Sequence, residues 1–299
     1  MQVRLIGVPM DLGADRRGVD MGPSAIRYAG LAGAIEAVGH DTADVGDLPV
    51  ARPETVDNGD GGLPSGGRAK YLAETRELCL ELEAAVADAL AEETFPLVLG
   101  GDHSIGVGTA RGSARDADVG LVWFDAHGDY NTPETTPSGN VHGMSLAALL
   151  GVGSFADADW TDAGIDPGNV AVVGARSLDG AEADALRASD VTVYTMSDID
   201  RRGVSAVVVD ALDRACAGTD GLHVSLDMDW LDPTEAPGVG TPVRGGVTYR
   251  EAHAAMEMVA ERELRSLELV EVNPILDDHN ATAELAVELA ASALGKRVL

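Results

Sequence analysis

The chain has 299 residues, 45% of them apolar, and a formal net charge of −29. This length is ample for a large buried core, and the apolar content is that of a folded globular protein. So strong an acidic balance excludes nucleic acid and anionic membrane surfaces as partners.

Lys70 and Lys296 are the only lysines; the other basic residues are arginines. An acidic surface with almost no lysine suits concentrated salt, where self-repulsion is screened, and the expectation is a halophilic, archaeal source. No apolar run reaches the length of a transmembrane helix. Met1-Gln-Val-Arg-Leu-Ile-Gly7 enters strand-like sequence without a charged-then-apolar leader, so a cytoplasmic protein is expected. Cys79 and Cys216 lie far apart in helix-like stretches and read as buried free thiols.

In chain order, residues 3–8 form a short apolar strand, and Gly22-Pro23-Ser24 opens a helix expected to run to about Val38. Residues 41–45 suit a second strand. Residues 46–67 are rich in Gly, Pro, Asp and Asn and read as a surface loop. Residues 68–92 have helical periodicity. Strands follow at 95–99 and 119–124, then a polar loop over 132–141 and a helix from His142 to Leu150. Residues 170–173 and 191–194 read as strands, with helices over 181–188 and 203–217. A strand over 222–226 precedes a helix capped by Thr248 and Glu251, a capping box. The last strand covers 264–270, and an Ala-rich helix over 282–294 closes at Gly295. Eight strands alternating with helices predict a parallel α/β fold in one domain, residues 1–299. The pattern permits an open sheet or a closed barrel.

Four of these strands end in polar clusters: Gly101-Asp-His103-Ser104, Asp125-Ala-His127-Gly-Asp129, Asp227-Met-Asp229 and Glu271. Taken alone, Asp102-His103 reads as a turn or cap, and Asp227-Met-Asp229 as turn residues. A buried strand that ends in two carboxylates and an imidazole is harder to explain structurally, because burying such groups is costly without a partner. Residues two apart on an extended segment point the same way, so Asp125, His127 and Asp129 can converge, as can Asp227 and Asp229. Two imidazoles and four carboxylates without a thiolate suit Mn²⁺ better than Zn²⁺, Fe²⁺, Co²⁺ or Ni²⁺. Six ligands with carboxylates able to bridge suit two ions, and hence hydrolysis by an activated water. His40, His223, His253 and His279 lack such company and read as surface or packing residues.

The chain resembles the ureohydrolase family, and within it the arginases. The matching strings are Gly100-Gly-Asp-His-Ser104, Trp123-Phe-Asp-Ala-His-Gly-Asp-Tyr-Asn131, Ser138-Gly-Asn-Val-His-Gly143, Ser225-Leu-Asp-Met-Asp-Trp-Leu-Asp-Pro233, Thr241-Pro-Val-Arg-Gly-Gly246 and Glu271-Val-Asn-Pro274. The resemblance implies a three-layer αβα sandwich around an eight-stranded, mostly parallel sheet, and assembly as a homotrimer or homohexamer. It implies two Mn²⁺ per subunit: His103 and Asp129 on one, His127 and Asp229 on the other, Asp125 and Asp227 bridging. A bridging hydroxide would attack the guanidinium carbon of L-arginine to give urea and L-ornithine. Asp129 would pass a proton to the leaving amine, His142 would shuttle protons or stabilise the intermediate, and Glu271 would pair with the guanidinium. Asn131, Ser138 and Asn140 would meet the substrate's α-carboxylate, and Asp179 and Glu182 its α-amino group, with Thr241 in a supporting role. Agmatinase, whose substrate lacks the carboxylate, is the alternative. Ser177 departs from the acid that many arginases carry there, which bears on affinity for the amino group.

Overall fold

A computed structural model describes residues 1–56 and 68–297. The Gly-rich part of the expected loop, Gly59 to Gly67, lies outside the described residues. The strands are β1 (Gln2–Val8), β2 (Asp41–Asp47), β3 (Phe95–Gly100), β4 (Val119–Phe124), β5 (Val170–Ala175), β6 (Thr192–Thr195), β7 (Gly221–Asp227) and β8 (Leu264–Val270). They form one open sheet in the order β2-β1-β3-β8-β7-β4-β5-β6. Every pairing is parallel, so the sheet is wholly rather than mostly parallel, and it does not close into a barrel.

The helices are α1 (Gly22–Tyr28), α2 (Leu31–Ala37), α3 (Leu72–Ala91), α4 (Gly106–Ala114), α5 (Ser145–Leu149), α6 (Gly180–Ala188), α7 (Met196–Arg202), α8 (Val204–Ala215), α9 (Tyr249–Val259) and α10 (Ala281–Ala293). Helices α1, α2 and α7–α10 pack on one face through residues such as Ile26, Val208, Met256 and Leu289. Helices α3–α6 cover the other, with Cys79, Val107, Leu146 and Leu186 in its core. Crossovers that step toward the β2 edge use the first layer and those that step toward the β6 edge use the second. All therefore have one hand, as strand twist requires. Strands β3, β4, β5 and β7 are buried along their whole length, which is why they read as continuous apolar runs. Among the described residues, no helix is long and apolar enough to cross a membrane. Cys79 is buried, Cys216 half-buried, and both are free.

Three local expectations fail for identifiable reasons. The helix expected from Gly22 to Val38 is broken at Gly30, whose φ of 93° lies in the left-handed region. The helix expected from Arg68 begins at Leu72, because Tyr71 adopts φ 52°. Helix α7 was not expected, although Thr195 and Asp198 form a capping box at its start.

Helix α4 was also not foreseen, since its three glycines argue against a helix. Two of them let it lie close against α3: a Cβ at Gly108 would sit 2.7 Å from the Cys79 carbonyl oxygen, and one at Gly112 2.6 Å from Val86 Cβ. Gly33 in α2 is the contrast, exposed with open space around it. Gly→Ala in a helix stabilises by about 0.5–1 kcal/mol when nothing is touched, whereas overpacking costs about 1–3 kcal/mol. Gly33→Ala should therefore raise the thermal unfolding midpoint and Gly112→Ala should lower it; a rise for both would show that α3 and α4 are not tightly apposed.

Candidate metal centre and substrate pocket

The four strands that end in polar clusters occupy the middle of the sheet as neighbours, β3-β8-β7-β4. Their C-terminal ends bring together His103, Glu271, Asp227 with Asp229, and Asp125 with His127 and Asp129. Short 3-10 turns at His103–Ile105 and Met228–Trp230 turn the chain immediately beyond β3 and β7. Asp129 and Glu271 are non-glycine residues held in left-handed backbone, at φ 48° and 65°.

The six predicted ligands fall into two groups that share Asp125. His103 Nδ1 lies 3.2 Å from a carboxylate oxygen of each of Asp125, Asp129 and Asp227. His127 Nδ1 lies 3.0 Å from Asp229 Oδ2 and 3.5 Å from Asp125 Oδ1. Asp125 thus offers Oδ2 to one group and Oδ1 to the other. The sets His103/Asp125/Asp129 and Asp125/His127/Asp229 are each close enough to hold a metal ion. His103 Nδ1 is buried and makes no hydrogen bond among the described residues, although three acceptors surround it. A lone pair aimed into a cage of carboxylate oxygens fits a divalent cation, and the oxygen- and imidazole-rich donor set fits Mn²⁺.

The electrostatics agree. Burial and the neighbouring Asp229 and Asp125 push Asp227 well above the usual carboxylate range. Burial and Asp125 raise Asp129 to about 6. Burial alone would lower His127, but Asp229 and Asp125 carry it up to about 12. The site is short of positive charge, and without a cation its imidazoles and carboxylates retain protons to compensate.

Sequence reasoning missed the residues that hold these ligands. Trp123 stacks on the His103 ring at 3.9 Å and 5°, and its Nε1–H donates to Asp125 Oδ2 at 2.9 Å. Ser225 Oγ lies 2.7 Å from His103 Nε2. With Nδ1 free as a ligand, Nε2 carries the proton and donates to Ser225. Both were accessible to the alternation rule, since Trp123 precedes Asp125 by two residues and Ser225 precedes Asp227 by two. Arg176 had no such signal. Its guanidinium donates to the carbonyls of Asp229, Trp230, Leu231 and Val243 and so fastens the turn carrying Asp229 to the end of β5. Thr241 Oγ1 donates to Asp229 Oδ2 at 2.9 Å, in keeping with a supporting role. His223 is fully buried, with Nδ1 2.9 Å from Ser266 Oγ and Nε2 3.7 Å from Glu268.

Glu271 Oε1 accepts from the His103 backbone N–H at 3.0 Å and faces His142 Nδ1 at 2.9 Å. Its Oε2 is buried and makes no hydrogen bond among the described residues. Above the carboxylates opens a cavity of about 240 Å³, lined among others by His127, Asp129, Asn131, Ser138, His142, Asp179, Glu182 and Thr241. Asn131 Nδ2 donates to Asp179 Oδ2 at 2.7 Å, and Asp179 Oδ1 caps α6. Burial raises Glu182 to about 7, and its Oε1 accepts from the Tyr130 N–H. Ser177 lines the same cavity. Asn140 is turned away from it: its Oδ1 accepts from Lys70 Nζ and its Nδ2 donates to the Ala14 carbonyl.

Loss of a hydrogen bond that orients a metal-bound imidazole weakens metal binding about 10–100-fold. Ser225→Ala should show such a loss in Mn²⁺ titrated by calorimetry, with the fold intact by circular dichroism. Unchanged affinity would remove Ser225 from the site.

Residues 1–295 match the sequence profile of the Arginase family. The chain is 48% identical to the arginase of Bacillus caldovelox over 302 residues and 49% identical to that of Bacillus subtilis over 301, each alignment spanning 99% of both chains. The solved structure of the Bacillus caldovelox arginase superposes with a TM-score of 0.93 at 47% identity, covering 100% of this chain and 99% of the other. With its parallel eight-stranded sheet and its paired His/Asp clusters, the chain belongs to the arginase family.

Proposed function

We propose that the protein is an arginase, hydrolysing L-arginine to L-ornithine and urea with two Mn²⁺ per subunit. The observation that carries this reading is the two His/Asp groups sharing Asp125, which put His127, Asp129 and Asp227 into the lining of a small cavity, with Glu271 bonded to His103 and His142 and its second carboxylate oxygen unpaired. His103, Asp125, Asp129 and Asp227 would hold one ion, and His127 and Asp229 with Asp125 the other. When bound, the ions supply a water activated for attack at neutral pH.

The remaining chemistry belongs to the chain. Glu271 Oε2 is an acceptor in need of a cation, and the substrate's guanidinium would bring one, held next to His103. Asp129, which lines the cavity, is suited to pass a proton to the departing amine. His142, on the same side as Glu271, moves protons between the pocket and solvent. Asn131 and Ser138 in the cavity wall suit the α-carboxylate, and Asp179, bonded to Asn131, and Glu182 suit the α-amino group. Asn140 reaches the carboxylate only indirectly, through the loop it helps hold. The single unit spans residues 1–299, in line with relatives of the same length.

Burial pushes His142 down, but the Glu271 carboxylate outweighs it, and the imidazole lies at about 9. Removing that negative charge leaves burial in control, so Glu271→Gln should lower the His142 pKa of the metal-free protein. Imidazole NMR shifts followed against pH measure this; an unmoved or raised midpoint would uncouple the pair.

The activity itself is tested by urea release with Mn²⁺ from L-arginine and from agmatine. Arginine should be the better substrate, and Asp125→Asn or His127→Ala should abolish turnover. Faster agmatine cleavage would overturn the arginase assignment in favour of agmatinase.

A further inference from the structure

The loop from Asn131 to His142 carries both of the cavity's candidate carboxylate contacts and ends at the proton-shuttling His142. Little regular structure supports it. It has a 3-10 turn only from Val141, and it contains Gly139 at φ 78°. Its outer side is instead laced to two other segments. The Arg68 N–H donates to the Pro133 carbonyl at 2.7 Å and the Lys70 N–H to the Gly139 carbonyl at 2.8 Å. The Arg68 guanidinium donates to the Thr136 carbonyl at 3.1 Å. On the other side, the His142 N–H donates to the Gly13 carbonyl at 3.2 Å, and Asn140 Nδ2 to the Ala14 carbonyl at 2.8 Å.

Lys70 is where the three segments meet. Its Nζ lies 2.9 Å from Asp15 Oδ2 and 2.9 Å from Asn140 Oδ1, so one ammonium joins the turn after β1 to the loop. Its stem passes the Gly139 Cα, where a Cβ would lie 3.7 Å from Lys70 Cγ. The Lys70 side chain as a whole is two-thirds buried. A compact point charge with three rotatable donors can serve a carboxylate and an amide oxygen at once. Lys70 is also one of only two lysines in a chain that otherwise uses arginine.

We propose that Lys70 is a positioning residue for substrate selection: by joining Asp15 to Asn140 it holds the Asn131–His142 loop in the shape that receives a substrate's α-carboxylate. It touches none of the metal ligands and does not line the cavity. Its effect falls on binding at the carboxylate end, and the reacting end is spared. The inference rests on the arginase reading, because it needs a substrate that has that carboxylate.

The experiment compares the manganese-loaded wild-type, Lys70→Met and Lys70→Arg enzymes on L-arginine and on agmatine. Met keeps the stem and removes the charge and donors; Arg keeps both. Misplacing a positioning loop costs tenfold or more in substrate use, so Lys70→Met should raise KM for arginine about tenfold with kcat within about twofold. Its kcat/KM for agmatine, which has no carboxylate to place and meets the loop only through the Asn131–Asp179 pair, should fall by no more than about twofold, and Lys70→Arg should restore most of the arginine KM. Unchanged KM for arginine in Lys70→Met would overturn the inference. So would parallel losses on both substrates, or a collapse of Lys70→Met that Lys70→Arg does not repair, since either marks a merely structural lysine. Wild-type enzyme that favours agmatine would overturn the arginase reading itself, and this inference with it.

Discussion

Mutual repulsion among four buried carboxylates is the constraint on which the rest of the site depends. Asp125, Asp129, Asp227 and Asp229 crowd around two imidazoles at the end of a sheet whose strands β3, β4 and β7 are buried on both faces. Such a group is tolerable only with positive charge inside it, and the elevated Asp227, Asp129 and His127 pKa values are the protein's response when protons must supply that charge. The topology makes the crowding possible. Chain order would keep β3 and β4 apart from β7 and β8, but the return of the chain from β6 inserts β7 and β8 between them. Four motifs scattered over 170 residues of sequence thereby become four adjacent strand ends. Ligands gather at the carboxyl ends of parallel strands for the same reason in other open α/β sheets.

Backbone strain at two positions serves the same cluster. Non-glycine residues in left-handed conformation cost about 1–2 kcal/mol each. Asp129 and Glu271 both accept it, and each is held there by several bonds. The Asp129 carbonyl takes the N–H groups of Leu146 and Ala147, and the Glu271 N–H donates to the Gly101 carbonyl. In exchange, Asp129 Oδ2 comes within 3.2 Å of His103, and Glu271 Oε1 meets both the His103 backbone and His142. One acid is thereby tied to His103 and the other to both His103 and His142, although they leave strands on opposite sides of β7.

What could be read in the sequence, and what could not, divides along physical lines. Short-range patterns were legible: all eight strands, the Thr248–Glu251 capping box and the Gly295 closure of α10 follow from periodicity and local capping. The ligand types were legible because charge at the end of a dry strand demands an explanation. Strand order was not, since nothing in β7 or β8 says that they insert between β3 and β4. Helix α4 was obscured because Gly108 and Gly112 serve contact with α3, at the expense of helix propensity. Asn140 was read as a substrate contact from its place in a polar loop, yet its amide is engaged by Lys70 and Ala14, partners distant in sequence. Arg176 was invisible for the same reason, because its acceptors are main-chain carbonyls more than fifty residues away.

On the arginase reading, the two ends of the substrate are not recognised independently. Asn131 at the carboxylate end donates to Asp179 at the amino end, and the same asparagine accepts from Thr135 within its loop. Asp179 in turn spends its other oxygen on the first N–H groups of α6, the helix that carries Glu182. The Asn131 amide and the Asp179 carboxylate therefore orient one another, and each keeps only part of its hydrogen-bonding capacity for a ligand. A substrate missing one end cannot simply forfeit that end's contact energy, because the remaining groups shift with their partner. Discrimination between guanidino compounds then resides in the Asn131–Asp179 pair and in the segments that hold it, as much as in any single contact with the substrate.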